Sequence, residues 1–311
     1  MPHRTKERRM AEAELTRDLA GIMVERRALV DAALERWLPP PTEPPAAIHQ
    51  AMRYSVFAGG KRLRPMLALF GCEAAGGKVE DAIPAAVALE LIHTYSLVHD
   101  DLPAMDDDDF RRGRPTCHKV YGEAIAILTG DALLTHAFQV LTDPTANGVP
   151  AARRLQIIAE ISAAAGSAGM VGGQTMDIQA EGTALDPATL LTLHSKKTGA
   201  LLRASLRVGG LAGGADDVIL ASLTHYGERL GLAFQIVDDI LDIEGNSAEM
   251  GKTAGSDLRK HKATYPAVFG LEASRKEATR LLEEARQAVR CLGGRGAVLV
   301  ALADFVGRRR S

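Results

Sequence analysis

From Pro84 to His99 the chain is apolar nearly all the way round a helix, with Val87, Leu89, Leu91, Ile92, Tyr95, Leu97 and Val98 among its residues. Six aspartates follow between positions 100 and 109. A helix without a polar face has to be enclosed by other elements. The segment therefore predicts a central buried helix whose end carries a concentration of negative charge. Pro103 ends or breaks that helix, so Asp106 returns to Asp100 through an irregular turn rather than by regular helical stacking. Carboxylates about 6 Å apart at an effective dielectric of about 20 repel by about 3 kcal/mol per pair. Asp100, Asp101 and Asp106 thus need a compensating cation if they cluster, and their oxygens suit Mg²⁺, a hard ion that borrows further ligands from phosphates. Arg111, Arg112 and Arg114 come next and offer planar forks matched to phosphate oxygens. The plainer alternative for this stretch alone is a solvated acidic loop balanced by its own arginines.

The remainder reads as helices almost throughout. Alanine, leucine, arginine and glutamate dominate, aromatics make up 4% of 311 residues, apolar positions recur at three-four spacing, and no convincing strand is visible. Breakers fall at Pro39 to Pro45, Gly76-Gly77, Pro144 to Pro150, Gly182 to Pro187, Gly213-Gly214, Gly245 to Gly255 and Gly293-Gly294. Together these predict an all-α fold of ten or more helices. No shift of composition and no fixed-period repeat divides the chain, so one domain is expected over residues 1–311. A net charge of -2 gives no sign of a nucleic-acid partner. Cys72, Cys117 and Cys291 show neither an even count nor metal-ligand spacing, which favours a reduced, cytoplasmic setting. No apolar run approaches the ~20 residues of a membrane span, so a soluble protein is expected. The opening MPHRTKERRM reads as a frayed helix start rather than a transit peptide, because Glu7, Glu12, Glu14 and Asp18 follow closely.

Further polar groups are spread along the chain. In FAGGKRLRP, Gly59-Gly60 frees the backbone just before Lys61 and Arg64, which lie on one face if helical and could grip one phosphate together. His93 sits two turns before Asp100 on the same helix face. GGQTMD, at 172–177, allows close helix contact and projects Gln174 and Asp177, a pair that is open to a purely structural reading. HSKKTGALLRAS puts Lys196, Lys197 and Thr198 before an apolar helix. FQIVDDILD places Asp238 and Asp242 at i, i+4 with Gln235 one turn earlier. Paired carboxylates among apolar neighbours are costly unless coordinated or paired. Lys252 and Lys262 flank a glycine-bearing loop, where Gly251-Lys252-Thr253 fails as a P-loop because Gly245 is one residue too distant and no strand precedes it.

Taken in order, GGKRLRP, HDDLPAMDDDDFRRGRPT, GGQTMD, KTG, FQIVDDILD and GK with KATYP make the sequence resemble the trans-isoprenyl diphosphate synthases, most closely the bacterial farnesyl diphosphate synthases, from about Gly59 to about Pro266. The resemblance implies a bundle around a central cavity. It implies that Asp100, Asp106 and Asp238 hold three Mg²⁺ ions, with Mn²⁺ as a substitute, while Asp101, Asp239 and Asp242 orient or support them. It assigns Arg111, Lys197, Gln235 and Lys252 to an allylic diphosphate, dimethylallyl or geranyl. It places Gly60, Lys61, Arg64, His93 and Arg112 at isopentenyl diphosphate and Lys262 in the substrate-binding set. By the family position of KTG, the carbonyls of Lys197 and Thr198 would steady the allylic cation. A homodimer is the family's usual state.

Product length is expected to be C15. Tyr95, with Ser96 beside it, lies five residues before Asp100, ~7.5 Å along a helix at 1.5 Å per residue, a depth suited to a few isoprene units. The insertion between Asp101 and Asp106 also occurs in some geranylgeranyl-forming relatives, which keeps C20 as the alternative. A squalene-type synthase or a terpene cyclase would share the paired acidic motifs, yet Lys61, Arg64 and His93 point to a second diphosphate site that a cyclase does not need. A non-catalytic metal-binding helical subunit is the reading from a different class. Its nearest signal is Glu90 to His93, one Glu-x-x-His where di-iron bundles need two.

Overall fold

The computed structural model describes residues 2–143, 148–183, 185–244 and 264–308, with 2–17 as backbone only. Helices account for most of them: α1 (Pro2–Trp37), α2 (Ala46–Val56), α3 (Leu63–Ala75), α4 (Val79–Asp100), α5 (Cys117–Tyr121), α6 (Glu123–Thr142), α7 (Ala151–Ala165), α8 (Met170–Ala180), α9 (Pro187–His194), α10 (Ala200–Ala212), α11 (Asp217–Glu244), α12 (Tyr265–Phe269), α13 (Leu271–Ala288) and α14 (Ala297–Gly307). Residues 195–199, joining α9 to α10, are wound as a π-helix, a local over-widening frequent at functional sites. The all-α expectation holds, and the anticipated breaks that fall among the described residues are found, with further breaks at Gly122, Gly166 to Gly169 and Gly270. The glycine stretch 245–255 lies outside the described residues.

Among the described residues, two apolar clusters make up the core. One surrounds α4 and takes residues from α1, α2, α6 and α7. The other is built on α11, α13 and α14. Helices α3 and α10 serve both: Ala68, Leu69 and Cys72 face the first, while Met66, Leu67 and Phe70 face the second. The two helices touch backbone to backbone. A Cβ at Gly209 would lie 1.9 Å from the carbonyl oxygen of Ala68, and one at Gly71 would lie 2.4 Å from that of Leu206. Neither neighbour can swing aside as a side chain would. Gly209→Ala is therefore expected to cost about 3 kcal/mol, the upper range for overpacking, read as a lowered urea midpoint at unchanged m-value.

Three expectations need correction. Helix α4 begins at Val79, five residues before Pro84, and carries that proline inside it; Glu80 and Asp81 in its first turn complement the helix dipole. A strand pair does form: β1 (Phe110–Arg111) and β2 (Arg114–Pro115) pair antiparallel across Arg112 and Gly113. Both turn residues have positive φ, 55° and 76°, as the tightest hairpin turn requires. Third, the chain does contain long apolar stretches. Val79–Asp100, Glu123–Thr142 and Ala151–Ala180 are long and apolar enough, by length and composition, to cross a membrane. Isolated polar residues interrupt each run, among them Glu90 and His93 in α4, Asp131 and His136 in α6 and Glu160 in α7, yet each stretch remains apolar on average. In α4 the apolar character is used internally, since 72% of that window is buried, against 39% for the window in α6.

Candidate active site

Helix α4 ends at Asp100 and the chain turns back at once. The Asp106 amide donates to the Asp100 carbonyl at 2.8 Å, and the amides of Met105 and Asp107 donate to the Leu102 carbonyl at 2.9 and 3.1 Å. The irregular return demanded by Pro103 thus brings Asp106 back to the helix end. Asp101 is buried, and Arg111 grips it through Nε at 2.7 and 2.9 Å and through Nη2 at 2.5 Å. Burial works against the Arg111 charge, but its bonds to Asp101 hold its pKa above the ordinary value. Asp100 accepts a hydrogen bond from Gln174 Nε2 of α8 at 2.6 Å.

One turn further along α8, Asp177 pairs with Lys197 Nζ at 2.5 Å. Thr198 donates to Gln235 Oε1 at 2.8 Å, and Gln235 Nε2 donates to Asp239 Oδ1 at 2.8 Å. Asp239 also accepts the Tyr265 amide at 2.7 Å and is buried. Helix α8 and the π-helical turn therefore link the two aspartate motifs. Gly173 makes this possible, because a Cβ there would sit 2.3 Å from the Lys197 backbone nitrogen.

His194, buried beside this network, has Nε2 3.9 Å from Asp239 Oδ2. Burial, aided by Lys197 and opposed by Asp177, lowers its pKa to about 4. Between pH 6.5 and 4 the unfolded chain holds a proton that the folded one does not. Stability should fall by about 3 kcal/mol as pH drops through that window. His194→Gln should flatten this part of the stability-pH curve, measured by urea unfolding at pH 7 and 4.5.

The basic groups converge from three elements. Arg64, near the start of α3, donates from Nη1 to His93 Nε2 at 3.3 Å. Burial brings Arg64 down to about 10 against the pull of Glu90. Burial first, and then Arg64, Arg112 and Arg111, push His93 well below the usual imidazole range, so the ring is neutral and accepts at Nε2. Asp238 also acts on Arg64, which sets the second acidic motif within electrostatic reach of the first basic one. Arg112, at the hairpin tip, donates from Nη1 to the Gly59 carbonyl. Gly60, at φ 118°, lies against the same guanidinium in a backbone state that a side-chain-bearing residue adopts only with strain. Lys61 and Arg64 do not share a helix face as expected. Helix α3 starts at Leu63, and Arg62, at φ 49°, turns the chain between them.

Tyr95 is buried on α4 with its ring edge-on to His99, centroids 5.9 Å apart. Ser96 Oγ is occupied by the His93 carbonyl at 2.9 Å. Lys252 and Lys262 lie outside the described residues. Sequence reasoning left Gln174 and Asp177 open and missed Arg62; it considered Glu90 only as an iron ligand. The signal for Glu90 was an acid inside an apolar helix. It also missed Asp107, Asp109 and His118, which bring one ligand atom each within 4.8 Å of one another, although Lys119 already pairs with Asp109 at 2.6 Å.

The family model for polyprenyl synthetase matches residues 45–292. The chain belongs to this family. A dimethylallyltranstransferase of Fischerella ambigua (strain UTEX 1903) is 48% identical over 94% of this chain and 84% of its own length. A farnesyl diphosphate synthase of Geobacillus stearothermophilus is 46% identical over 92% and 96%. The crystal structure of a geranylgeranyl pyrophosphate synthetase from Pyrococcus horikoshii Ot3 superposes with a TM-score of 0.85 at 31% identity, covering 94% of this chain and 99% of that one. This polyprenyl synthetase has trans-prenyl diphosphate synthase activity, and its family uses a metal ion. The donor set fits such an ion: Asp100 and Asp106 are brought together by the turn, and carboxylate oxygens are what a hard divalent cation takes.

Proposed function

We propose that this polyprenyl synthetase condenses isopentenyl diphosphate head-to-tail with dimethylallyl and then geranyl diphosphate, releasing diphosphate and ending at farnesyl diphosphate, C15. The observation that carries the C15 assignment is Tyr95, buried five residues below Asp100 and backed by His99. Asp100, Asp106 and Asp238 would hold Mg²⁺. When bound, the metal supplies positive charge against the diphosphate that leaves.

Around it, Arg111, Lys197 and Gln235 receive the allylic diphosphate, with Lys252 and Lys262 assigned on sequence alone. Lys61, Arg64, His93 and Arg112 receive isopentenyl diphosphate. The allylic carbon–oxygen bond breaks with its electron pair going to diphosphate. The double bond of isopentenyl diphosphate then forms the new carbon–carbon bond, and a proton leaves to restore an alkene. Preorganised cations facing the growing charge lower the barrier because they need no reorganisation during reaction.

A C20 end point is the second reading, favoured by relatives of both kinds: a farnesyl synthase and a geranylgeranyl synthase match about equally well. A homodimer is supported by exposed apolar residues on α6, α7 and α8, namely Ile127, Leu128, Leu155, Val171 and Ile178. The test is the chain length of products from dimethylallyl and isopentenyl diphosphates with Mg²⁺, with and without chelator. Metal-dependent C15 is expected. C20 would discard the farnesyl assignment while keeping the condensation, and no condensation would discard both.

A further inference from the structure

Arg62 lies between Lys61 and Arg64, yet it is turned away from both. It is 3% exposed and left-handed at φ 49°, a backbone state that an arginine adopts only where its surroundings impose it. Its guanidinium is used on every side. Nε donates to Asp31 Oδ1 of α1 at 2.8 Å, Nη1 to Glu90 Oε1 of α4 at 2.7 Å and to the Gly59 carbonyl at 3.4 Å, and Nη2 to the Val56 carbonyl at the end of α2 at 2.9 Å. The Gly59 carbonyl is shared with Arg112. One guanidinium therefore ties the loop that presents Lys61 to three helices, at the point where the hairpin arginine reaches in.

Glu90 is the acidic partner in this arrangement. It is 2% exposed and stands one turn before His93 on α4. Its charge acts on Arg62, Arg64 and Arg112 alike. Three guanidiniums repel one another, and burial raises the cost of their charge. A buried carboxylate bonded to one of them lets all three converge before any diphosphate arrives. Buried ion pairs add little net stability, but removing one partner strands the other's charge, so their attested use is to hold a geometry.

We infer that Arg62 and Glu90 are positioning residues for the homoallylic diphosphate: Arg62 holds the loop of Lys61 and meets Arg112 at the shared Gly59 carbonyl, and Glu90 holds Arg62 in the register that a diphosphate needs. The inference rests on the assignment of Lys61, Arg64, His93 and Arg112 to isopentenyl diphosphate.

The experiment is steady-state kinetics on the full chain, varying isopentenyl and geranyl diphosphates separately, with Tm recorded for each variant. Glu90→Gln and Arg62→Lys are each expected to raise KM for isopentenyl diphosphate about tenfold, with KM for geranyl diphosphate within about twofold. Glu90→Asp should recover part of the loss. If Glu90 acted only through its field, removing its charge would instead lower that KM, and a fall would overturn the inference. So would a reduced Tm with both KM values unchanged, or both rising together, which would mark a purely structural brace. Asp31→Asn loosens the arm on half-buried Asp31, at the edge of the cluster, together with the more exposed Arg27–Asp31 pair at 3.4 Å, and guards against variants that do not fold. It should raise KM for isopentenyl diphosphate about threefold, and no change there overturns the inference. Wild-type protein that fails to join the two substrates would remove the proposed function itself. Wild-type turnover with unmoved variant KM values would remove only the positioning role.

Discussion

Asp100→Asn is expected to lower kcat by about a thousandfold, ~4 kcal/mol of transition-state stabilisation at 1.36 kcal/mol per tenfold. The geometry explains why the effect should be in kcat. Asp100 ends α4, is oriented by Gln174 at 2.6 Å and lies beside Asp106, whose amide bonds its carbonyl. Removing its charge leaves the helix and the turn intact but would take away one of the carboxylates proposed to hold Mg²⁺, whose positive charge would face the departing diphosphate. Gln174→Leu, which leaves the carboxylate but frees its rotamer, should cost less, about tenfold. Product formation followed with radiolabelled isopentenyl diphosphate at saturating Mg²⁺ measures both. A loss under tenfold for Asp100→Asn would show that Asp100 is not a ligand.

Tyr95→Ala should change what is made, moving the main product from the proposed C15 to C20 and longer. The ring is held from behind: His99 stands edge-on to it, and Nε2 of His99 lies 3.0 Å from the Ile127 carbonyl on α6. His99 packs into the space that Gly130 leaves by having no side chain, since a Cβ there would sit 2.0 Å from Nε2. Truncating a buried aromatic costs about 3–5 kcal/mol, so the variant should also melt earlier. Tyr95→Phe keeps the volume and should keep the product. Separating the dephosphorylated prenols by chain length decides the matter, and C15 alone from Tyr95→Ala would remove Tyr95 as the floor.

Much of the fold was legible because its causes are local. Periodicity and breakers marked the helices, and Pro103 forecast the irregular turn that returns Asp106 to Asp100. What escaped was local geometry set by single unusual residues. The hairpin depends on Arg112 taking a positive φ that arginine rarely adopts, and the break between Lys61 and Arg64 depends on Arg62 doing the same. The apolar length of α6 and of the stretch from α7 into α8 was underestimated because isolated polar residues such as Asp131 and Glu160 break up the apolar runs without making the average polar.

By itself the sequence determined the helical class, the two aspartate motifs and the basic residues that accompany them, since these follow from propensity, spacing and charge. Only the tertiary structure decided which carboxylates are already committed to neighbours. Arg111 takes Asp101, Gln235 and the Tyr265 amide take Asp239, Gln174 orients Asp100, and Arg62 takes Glu90. Most of these partners lie 10 to 74 positions apart in the chain. Their meeting depends on how α3, α4, α8 and α11 cross, and crossing is set by close packing of whole helix faces, which no single segment encodes.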